Sequence, residues 1–523
     1  MIGTLLDLLR RWLPAAALAT LAGCASVGPD FVRPTSPVLD QWMEANATAP
    51  AGGSGLTSRS QPVVRWWETF EDPTLNELIA DAYAQNLTLQ VAGARVLQAR
   101  AQLGIAFGEM FPQSQVAGAS YQRRRISENL GPIQDIERVI DLDTTFATSQ
   151  VGFDAQWELD VWGGQRRGVQ SAQSNLAAQV ATYDDALVTL TGDVAAVYIN
   201  IRALQETLGV VRRNVELQRE SFELTSLRFE TGVATELDVQ ESSTLLTNTR
   251  SIEPGLEAEL QQAKNALAVL LGRPPSSLSA LVGGSGRIPS ARARVEVGVP
   301  AELLRRRPDI RAAEFAAAAQ SARIGVAIND LYPQFVLTGV IGVQASDASD
   351  LFQSGSLTGL ASPGIAWNVL NYGRIKNNVR AQDAAFQGLV ANYRNTVLNA
   401  YAEVENAMVA YEKGRQQVAL LSRSVDSSRR AAEIGLEQYR DGVADYTRVL
   451  NTQQSRLEAE ANLIDARAQV SEALVGIYKG LGGGWQVRQN QEFLPDEVLN
   501  EMAWRTDWGD LLGRDPERMS IAN

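Results

Sequence analysis

Apolar residues recur at intervals of three and four positions along a very long stretch in the first half of the chain. The stretch from Gly164 to Glu230 contains no proline, and its apolar series includes Leu187, Leu190, Val194, Val197, Ile201 and Leu204. This spacing predicts one helix of about 67 residues, roughly 100 Å long at ~1.5 Å per residue. A turn at Gly232 ends it, because glycine adopts left-handed conformations readily, and a return helix is predicted over Asp238–Leu271.

The same succession of helices is predicted a second time. Further helices are predicted over Leu75–Gly108, Ala301–Asp330, Arg374–Arg440 and Arg448–Leu481. Two shorter helices of about 34 residues each add up to one long helix, so a pair stacked end to end matches its length. Apolar spacing sustained over such lengths favours coiled-coil packing of these helices.

Two short segments alternate between apolar and polar residues. In Gln150–Leu159 the odd positions are apolar and the even ones polar or small, and Phe335–Val343 repeats the alternation. Such alternation predicts a strand with one face in an apolar medium and one in water. One interpretation is a half-buried sheet in a soluble domain. The other is a membrane barrel to which several chains contribute strands. Two strands per copy give four per chain, and four strands cannot close into a barrel, whereas three chains supply twelve.

The two halves of the chain are copies of one another. At a constant offset of 210 the same residue recurs in the pairs Trp157 and Trp367, Gly163 and Gly373, Tyr183 and Tyr393, Gly232 and Gly442, and Leu271 and Leu481. Upstream, Pro112 matches Pro333 at an offset of 221, which predicts an enlarged loop of 11 extra residues within Ser127–Asp143. The sequence therefore predicts a mainly α fold with a small β part, built from duplicated long helical hairpins.

The N-terminus has the features of a secretory signal. Arg10 and Arg11 precede a short apolar run that ends at Leu21-Ala22-Gly23-Cys24, which resembles the lipobox of bacterial lipoproteins. Cys24 is the single cysteine of the chain, so we predict that it is lipidated; an ordinary signal peptide followed by a chance cysteine is the alternative. The predicted division of the chain is a signal peptide (1–23), a lipidated tail (24–66), a first repeat (67–272), an equatorial linker (273–298), a second repeat (299–482) and a C-terminal segment (483–523).

The amino-acid composition excludes several kinds of catalytic and metal-binding site. The chain of 523 residues has no histidine, one cysteine and a net charge of −13. Histidine-based catalysis, histidine or cysteine metal sites and an internal disulfide are therefore excluded. An acidic chain is also a poor candidate for binding nucleic acid. We expect no catalytic residues, no metal and no cofactor, since no local carboxylate pair or Ser–Lys arrangement indicates an enzyme.

Several motifs resemble the TolC/OprM-type outer-membrane factors, the NodT-like efflux lipoproteins of tripartite systems with pumps of the RND type. The motifs are Val27-Gly28-Pro29-Asp30-Phe31 after the lipobox, Phe111-Pro112 and Tyr332-Pro333, Trp157-Glu158-Leu159-Asp160-Val161-Trp162-Gly163, Leu304-Arg305-Arg306-Arg307-Pro308-Asp309-Ile310, and the two glycine turns. The resemblance implies a homotrimer with a shared twelve-stranded barrel in the outer membrane and an α-barrel tunnel in the periplasm. It also implies a periplasmic adaptor and an inner-membrane pump, and the lipobox resembles the subset whose pumps are of the RND type.

The resemblance also assigns site residues. Periplasmic gate candidates surround Gly442, and they are Tyr439, Asp445, Tyr446, Arg448 and Asn451, the last standing where relatives often have Asp. Adaptor-docking candidates at the tips are Gly232, Val233, Ala234, Leu237, Gly442 and Val443. Interfacial aromatics of the barrel are Trp157, Trp162, Trp367 and Tyr372. Solvated polarity and plain turn chemistry are the respective alternatives at the gate and the docking tips.

The sequence thus predicts a passive duct for drugs or other small molecules, lipid-anchored in the bacterial outer membrane and extending into the periplasm. Two alternatives stay open: a duct for protein secretion, and a structural lipoprotein that spaces the envelope. Arg123-Arg124-Arg125, at the far end of the first strand, is interpreted either as a contact with acidic outer-leaflet groups or as an ordinary loop charge run.

Overall fold

The computed structural model describes most of the chain from Ser26 onward. The described residues are 26–36, 42–43, 56–57, 64–127, 144–275, 282, 286–290, 295–296, 305–489 and 491–512. The predicted signal peptide, the predicted lipidation at Cys24 and most of the predicted loop Ser127–Asp143 lie outside the described residues.

Helices make up most of the described chain. In order they are α1 (Pro73–Gln85), α2 (Leu87–Gly108), α3 (Gly164–Glu230), α4 (Glu236–Leu270), α5 (Pro308–Asn329), α6 (Arg374–Arg440), α7 (Tyr446–Gly480) and α8 (Asp496–Arg505). Both long helices, α3 and α6, have the predicted bounds and 67 residues each. Short 3-10 turns lie at Trp66–Phe70, Ala348–Asp350, Ser354–Ser356, Trp485–Arg488 and Gly509–Leu512.

The duplication is visible in element lengths and in individual hydrogen bonds. Helices α2 and α5 have 22 residues each, and α4 and α7 have 35 each. The indole of Trp157 donates to the carbonyl of Met110 at 3.2 Å, and that of Trp367 donates to the carbonyl of Leu331 at 3.1 Å. These donors are 210 residues apart and the acceptors 221 apart, as the sequence offsets require. The domain boundaries given above stay a prediction.

One predicted helix is interrupted. The interpretation of Leu75–Gly108 as a single helix is wrong, because Asn86 interrupts the helix and separates α1 from α2. The Asn86 side chain accepts from the backbone N–H of Leu89 at 2.8 Å, which caps α2, and donates to the carbonyl of Leu270 at 2.8 Å. Asparagine favours such N-caps, since its short side chain satisfies an otherwise unpaired backbone donor. The break therefore ties the start of α2 to the last turn of α4.

The strands form a four-stranded antiparallel sheet and one short parallel pair. They are β1 (Leu56–Thr57), β2 (Ser114–Arg125), β3 (Thr145–Leu159), β4 (Val295–Glu296), β5 (Gln334–Ala345) and β6 (Leu357–Ala366). The sheet has the order β2-β3-β5-β6, and β1 pairs with β4. Within the described residues, β2 and β6 each pair along one edge only.

The register gives the sheet one apolar face. Cross-strand partners point to the same side of a sheet. Opposite one another on this face, which we call the apolar face, lie Val151 and Val343, Phe153 and Ile341, Trp157 and Leu337, and Leu159 and Phe335. The opposite face of β3 carries Gln150, Gly152, Asp154, Gln156 and Glu158. The alternation predicted from the sequence is thus present across neighbouring strands.

The chain divides into two compact units, and each contains segments of both repeats. Among the described residues, the first unit comprises 26–33, Gln98–Ala177 and Glu314–Ala391, and the second comprises the remainder. Helix α3 carries an apolar window long and uncharged enough to cross a membrane, but 67% of that window is buried inside the protein. We therefore assign the window to helix packing.

In the first unit, the N-terminal motif is fixed by one buried arginine. Arg167, 4% exposed, donates to the carbonyls of Val27 and Gly28 at 3.1 and 3.2 Å and to the carboxylate of Asp30 at 2.9 Å. Gly28 has φ +96°, and a Cβ there would lie 2.5 Å from the Cα of Gly325. A side chain at Gly28 is therefore excluded by both backbone conformation and space.

In the second unit, a buried arginine organises the start of α5. Arg307 donates to both carboxylate oxygens of Asp309 at 3.0 and 2.9 Å. It also donates to the carbonyl of Gly480 at 2.5 Å and to Glu403 at 2.8 Å. Its guanidinium thus satisfies a carbonyl in the last turn of α7, where the helix leaves acceptors unpaired. The Arg-Pro-Asp motif is structural.

A buried ion pair joins α3 to the C-terminal segment. Asp184 is fully buried, and both of its carboxylate oxygens accept from Arg488. Arg311 lies 3.9 Å from the same carboxylate. Burial raises the pKa of Asp184, and Arg488 opposes that rise. The arginine partner beside it thus favours the charged form of the carboxylate against the effect of burial.

We predict that Arg488→Ala lowers the free energy of unfolding by about 3–5 kcal/mol, because it leaves the buried carboxylate without its closest cation. Arg430→Ala is the matched control, because Arg430 and Glu433 form an exposed pair and such pairs are worth about 1 kcal/mol or less. Thermal unfolding of the purified protein, followed by circular dichroism, measures both. Equal shifts for the two variants would contradict the prediction.

The same variant has a defined pH dependence. Without Arg488, burial raises the pKa of Asp184 further, so the folded variant favours the protonated acid. A folded-state pKa above the unfolded one gives stability that is present at low pH and lost as pH rises. Arg488→Ala is therefore expected to lose more stability at pH 8 than at pH 5. A loss that is independent of pH would assign the effect to packing against Tyr183 and Phe493.

Candidate gate and docking tips

Each long helix ends in the same glycine turn. In the first tip, between α3 and α4, Gly232 has φ +75°, and Val233 and Ala234 donate to the carbonyl of Arg228 at 2.8 and 3.1 Å. The side chains of Val233 and Leu237 are 64% and 65% exposed. This tip therefore presents apolar groups to the surroundings, as expected of a docking surface.

A capping box starts α4. The Thr235 hydroxyl accepts from the N–H of Asp238 at 3.2 Å, and the Asp238 carboxylate accepts from the N–H of Thr235 at 2.9 Å. The reciprocal pair satisfies two helix-terminal donors and fixes the direction in which the return helix leaves the turn. It explains why α4 begins at Glu236, two residues before the predicted start.

The second tip, between α6 and α7, repeats this backbone. Gly442 has φ +73°, and Val443 and Ala444 donate to the carbonyl of Gln438 at 2.9 and 3.2 Å. Val443 is 77% exposed. The docking candidates at both tips thus lie on equivalent turns, and their role in docking stays a prediction.

The predicted Asp445–Arg448 contact is a helix cap in this chain. The Asp445 carboxylate accepts from the backbone N–H of Arg448 at 3.3 Å and caps α7. Asp445, Arg448 and Asn451 have exposed side chains. No ion pair between the side chains of Asp445 and Arg448 is present within this described segment. These three residues are exposed at the start of α7.

Tyr439 and Tyr446 are buried between the tips. They are 4% and 1% exposed, and their rings meet edge to face with centroids 5.4 Å apart. Val449 packs with them, and Leu224, from the first long helix, lies against the cluster. Burial, and secondarily Tyr439, raise the pKa of Tyr446, so its phenol stays neutral across the physiological range. The two tyrosines therefore contribute to the tips through packing.

Arg228, which the sequence analysis did not single out, connects the two tips. It lies in the last turn of α3 and donates to the carbonyls of Tyr439 and Arg440 at 2.6 and 2.9 Å. Its guanidinium carbon also lies 4.8 Å from the centre of the Tyr439 ring. These carbonyls end α6, where a cation is favoured by unpaired acceptors and by the helix dipole. We call this contact the tip lock.

The tip lock distinguishes the two copies. The residue equivalent to Arg228 in the second repeat is Gln438, 210 positions later. Aligning the two tips does not single out Arg228, because Glu230 against Arg440 and Thr231 against Asp441 are charge differences as well. The acceptors could not be found in this way, because they are backbone carbonyls.

Above the tip lock, the first long helix is polar on its buried face. Asn214, Gln218, Ser221 and Thr225 are each at most 1% exposed. Gln453 donates to the Ser221 hydroxyl at 2.8 Å. This hydrogen bond joins α7 to α3 and favours one register of the two helices.

A buried carboxylate completes this contact between the repeats. Glu460, 3% exposed, accepts from Asn214 at 3.1 Å and from Arg429 at 2.6 Å, with Arg456 3.5 Å away. The network joins α3 of the first repeat to the α6–α7 hairpin of the second. Arg228 and Glu460 thus fasten the same helices at two levels.

The predicted interfacial aromatics lie where β-strands meet helices. Trp162 stacks on Tyr332 with centroids 4.9 Å apart and donates to the carbonyl of Pro333 at 2.8 Å. Trp367 and Tyr372 are 56% and 96% exposed. Their assignment to a membrane interface stays a prediction. Among the described residues, no group of three or more histidine, cysteine, aspartate or glutamate side chains is arranged to hold a metal ion.

Comparison with known proteins shows which family has this sequence and architecture. The chain matches the family described as "Outer membrane efflux protein" over residues 78–273 and 299–483. It is 30% identical to the solvent efflux pump outer membrane protein SrpC of Pseudomonas putida over 479 residues, covering 91% of this chain and 99% of SrpC. It is 34% identical to the pyoverdine export outer membrane protein OpmQ of Pseudomonas putida over 449 residues, covering 84% of this chain and 92% of OpmQ.

A solved structure gives the same result for the fold. The outer-membrane channel OprN superposes with a TM-score of 0.81 at 31% identity, covering 88% of this chain and 99% of OprN. The predicted fold class is thereby confirmed: it is that of the trimeric outer-membrane factor channels. The chain belongs to the outer membrane efflux protein family, whose members are the outer-membrane channels of efflux pumps.

Proposed function

We propose that three copies of this chain form a closed duct that carries small molecules out of the cell with an adaptor and an RND-type inner-membrane pump. The observation that carries the proposal is the four-stranded sheet, which has one apolar face and two edges that lack partners within the described residues. An open sheet edge is too costly in lipid, where no water satisfies its backbone groups. Three copies supply twelve strands, an even number within the range of closed barrels.

The duct is passive in this proposal. Drugs or other small organic molecules are the cargo class, in keeping with solvent efflux by SrpC and pyoverdine export by OpmQ. The adaptor docks on the exposed tips at Val233, Leu237 and Val443. No catalytic group is required, because the inner-membrane pump supplies the driving force.

Lipidation at Cys24 anchors the N-terminus in the proposed assembly. Cys24 is two residues from Ser26, and a Cβ on Gly163 would lie 2.5 Å from the Ser26 Cβ. Gly163 directly precedes α3 and follows β3 closely, so Ser26 lies at the junction of sheet and helix. Acyl chains on Cys24 therefore start close to the proposed membrane boundary. Several chains on one residue hold a protein firmly at a lipid surface.

The tip lock and the exposed residues of α7 form the proposed gate. Arg228 restrains the second tip by binding the end of α6, and Arg448 and Asn451 are exposed for contacts with a neighbouring protomer. The closed state depends on both sets of contacts, because Arg228 acts within one chain, whereas Arg448 and Asn451 act between chains. Opening then requires release of the second tip.

Native mass spectrometry of the detergent-extracted protein tests the assembly and the anchor together. A trimer with an acylated N-terminal peptide at Cys24 is expected, because the sheet edges need partners. A monomer would overturn the duct and favour an envelope spacer. A trimer whose Cys24 carries no acyl chain would remove only the lipid anchor.

Arg228→Gln is expected to raise the leak current of the purified channel in planar bilayers about tenfold or more, since it removes charge-assisted hydrogen bonds to two carbonyls. It places at Arg228 the residue found at the equivalent Gln438. Arg219→Gln is the matched control, because Arg219 lies on the same helix and forms an exposed pair with Glu216. Equal leak in the two variants would exclude the tip lock from the gate.

Arg448→Ala tests the contact between protomers. It is expected to raise the leak current while leaving the Asp445 cap intact, because that cap uses the backbone N–H of Arg448. The measurement is again conductance in planar bilayers, with circular dichroism to confirm the helical content. An unchanged leak would exclude Arg448 from the gate and leave Arg228 as the sole restraint tested.

A further inference from the structure

Three consecutive arginines occupy the end of β2 that is remote from the helices. The interpretation of Arg123, Arg124 and Arg125 as a loop charge run is wrong, because they pair in register with Ala147, Phe146 and Thr145 of β3. Successive side chains of a strand point to opposite faces. Arg123 and Arg125 therefore share one face of the sheet, and Arg124 lies on the other.

The register identifies the face that carries Arg123 and Arg125. On β2 the same column contains Ala117, Ala119 and Tyr121, which lie opposite Phe153, Val151 and Ser149 of β3. Phe153 and Val151 belong to the apolar face. Arg124 lies in the column of Ser120 and Gln122, opposite the polar Gln150 and Thr148. Two of the three arginines thus extend the apolar face, and the third extends the polar one.

Two aromatic residues mark the depth of the apolar face. Trp157 lies near the helices, and Tyr121, 67% exposed, lies toward the other end. Because Tyr121 is opposite Ser149, the two aromatic levels bound a nine-residue segment of β3, Ser149 to Trp157, and a strand of about 9–11 residues crosses a hydrocarbon core. Amphipathic aromatic rings favour both boundaries of that core.

The arginines lie just beyond the outer aromatic level. Arg123 and Arg125 are two and four residues past Tyr121, about 7 and 13 Å along a strand that rises ~3.3 Å per residue. At a strand tilt of ~45°, these become about 5 and 9 Å along the membrane normal. The headgroup layer adds roughly 5–8 Å on each side of the core, so Arg123 lies within that layer and Arg125 at its outer surface.

We infer that Arg123 and Arg125 bind the phosphate groups of phosphorylated glycolipids in the outer leaflet, an inference that rests on the membrane placement of the sheet in the proposed function. The forked guanidinium donates two parallel hydrogen bonds to a phosphate. Two guanidinium groups about 7 Å apart at their backbone positions suit a headgroup that carries more than one phosphate.

The test uses the full-length trimer in detergent, titrated with diphosphorylated lipid A and examined by native mass spectrometry. Arg123→Gln/Arg125→Gln is expected to lower the apparent affinity for diphosphorylated lipid A at least tenfold. Arg124→Gln is the matched control, because its side chain lies on the polar face, and it should stay within twofold of wild type. Arg123→Lys/Arg125→Lys keeps both charges and is used if the double glutamine variant fails to assemble. Its affinity for diphosphorylated lipid A should also fall, because lysine lacks the forked guanidinium.

Each other outcome has a defined meaning. Equal loss in Arg124→Gln, or no loss in either double variant, would overturn the site. Phosphatidylglycerol that competes as well as diphosphorylated lipid A would show that any lipid phosphate suffices and would overturn the glycolipid assignment. Failure of the wild-type chain to form a trimer would instead contradict the proposed function, so the two failures are distinguishable.

Discussion

The edges of one small sheet constrain the whole protein. Strands β2 and β6 expose backbone donors and acceptors along one side each within the described chain, and the apolar face of the sheet favours lipid. Lipid cannot satisfy those groups, whereas another copy of the same sheet can. Closure by several chains therefore follows from hydrogen bonding, and a continuous path through the membrane follows from closure. The helices then have to connect that path to partners on the other side.

Duplication supplies the helices that make this connection, because the same helical hairpin occurs twice in the chain. Helices α3 and α6 have identical lengths, and their turns at Gly232 and Gly442 share the same left-handed backbone and the same hydrogen bonds. Function requires the copies to differ, however. In the proposed gate, the first tip holds the second through Arg228, and Gln438 at the equivalent position supplies no such cation.

The sequence was most informative where a pattern is long and local. The bounds of α3 and α6 were predictable, since about 67 residues without proline at helical spacing admit few alternatives. The break at Asn86 was not, because the Asn86 side chain binds the carbonyl of Leu270 far along the chain. Arg228 was missed for the same reason: its acceptors are carbonyls more than 200 residues away, and a carbonyl leaves no mark in the sequence. The caps at Thr235 and Asp445 were only partly predictable, because the residues that form each cap are close in sequence but too few to make a strong pattern.

The buried polar contacts explain why the tips can be both ordered and releasable. In its first part, α3 buries Leu187, Val194, Ile199 and Ile201 together with the ion-paired Asp184. Toward the tip it buries Asn214, Gln218, Ser221 and Thr225, of which Asn214 donates to Glu460 and Ser221 accepts from Gln453. An apolar contact weakens gradually as helices separate, whereas a hydrogen bond is lost over a fraction of an ångström and its groups can then bind water. In the proposed gate, movement is therefore expected at the end of α3 that carries the bonds to Glu460 and Gln453.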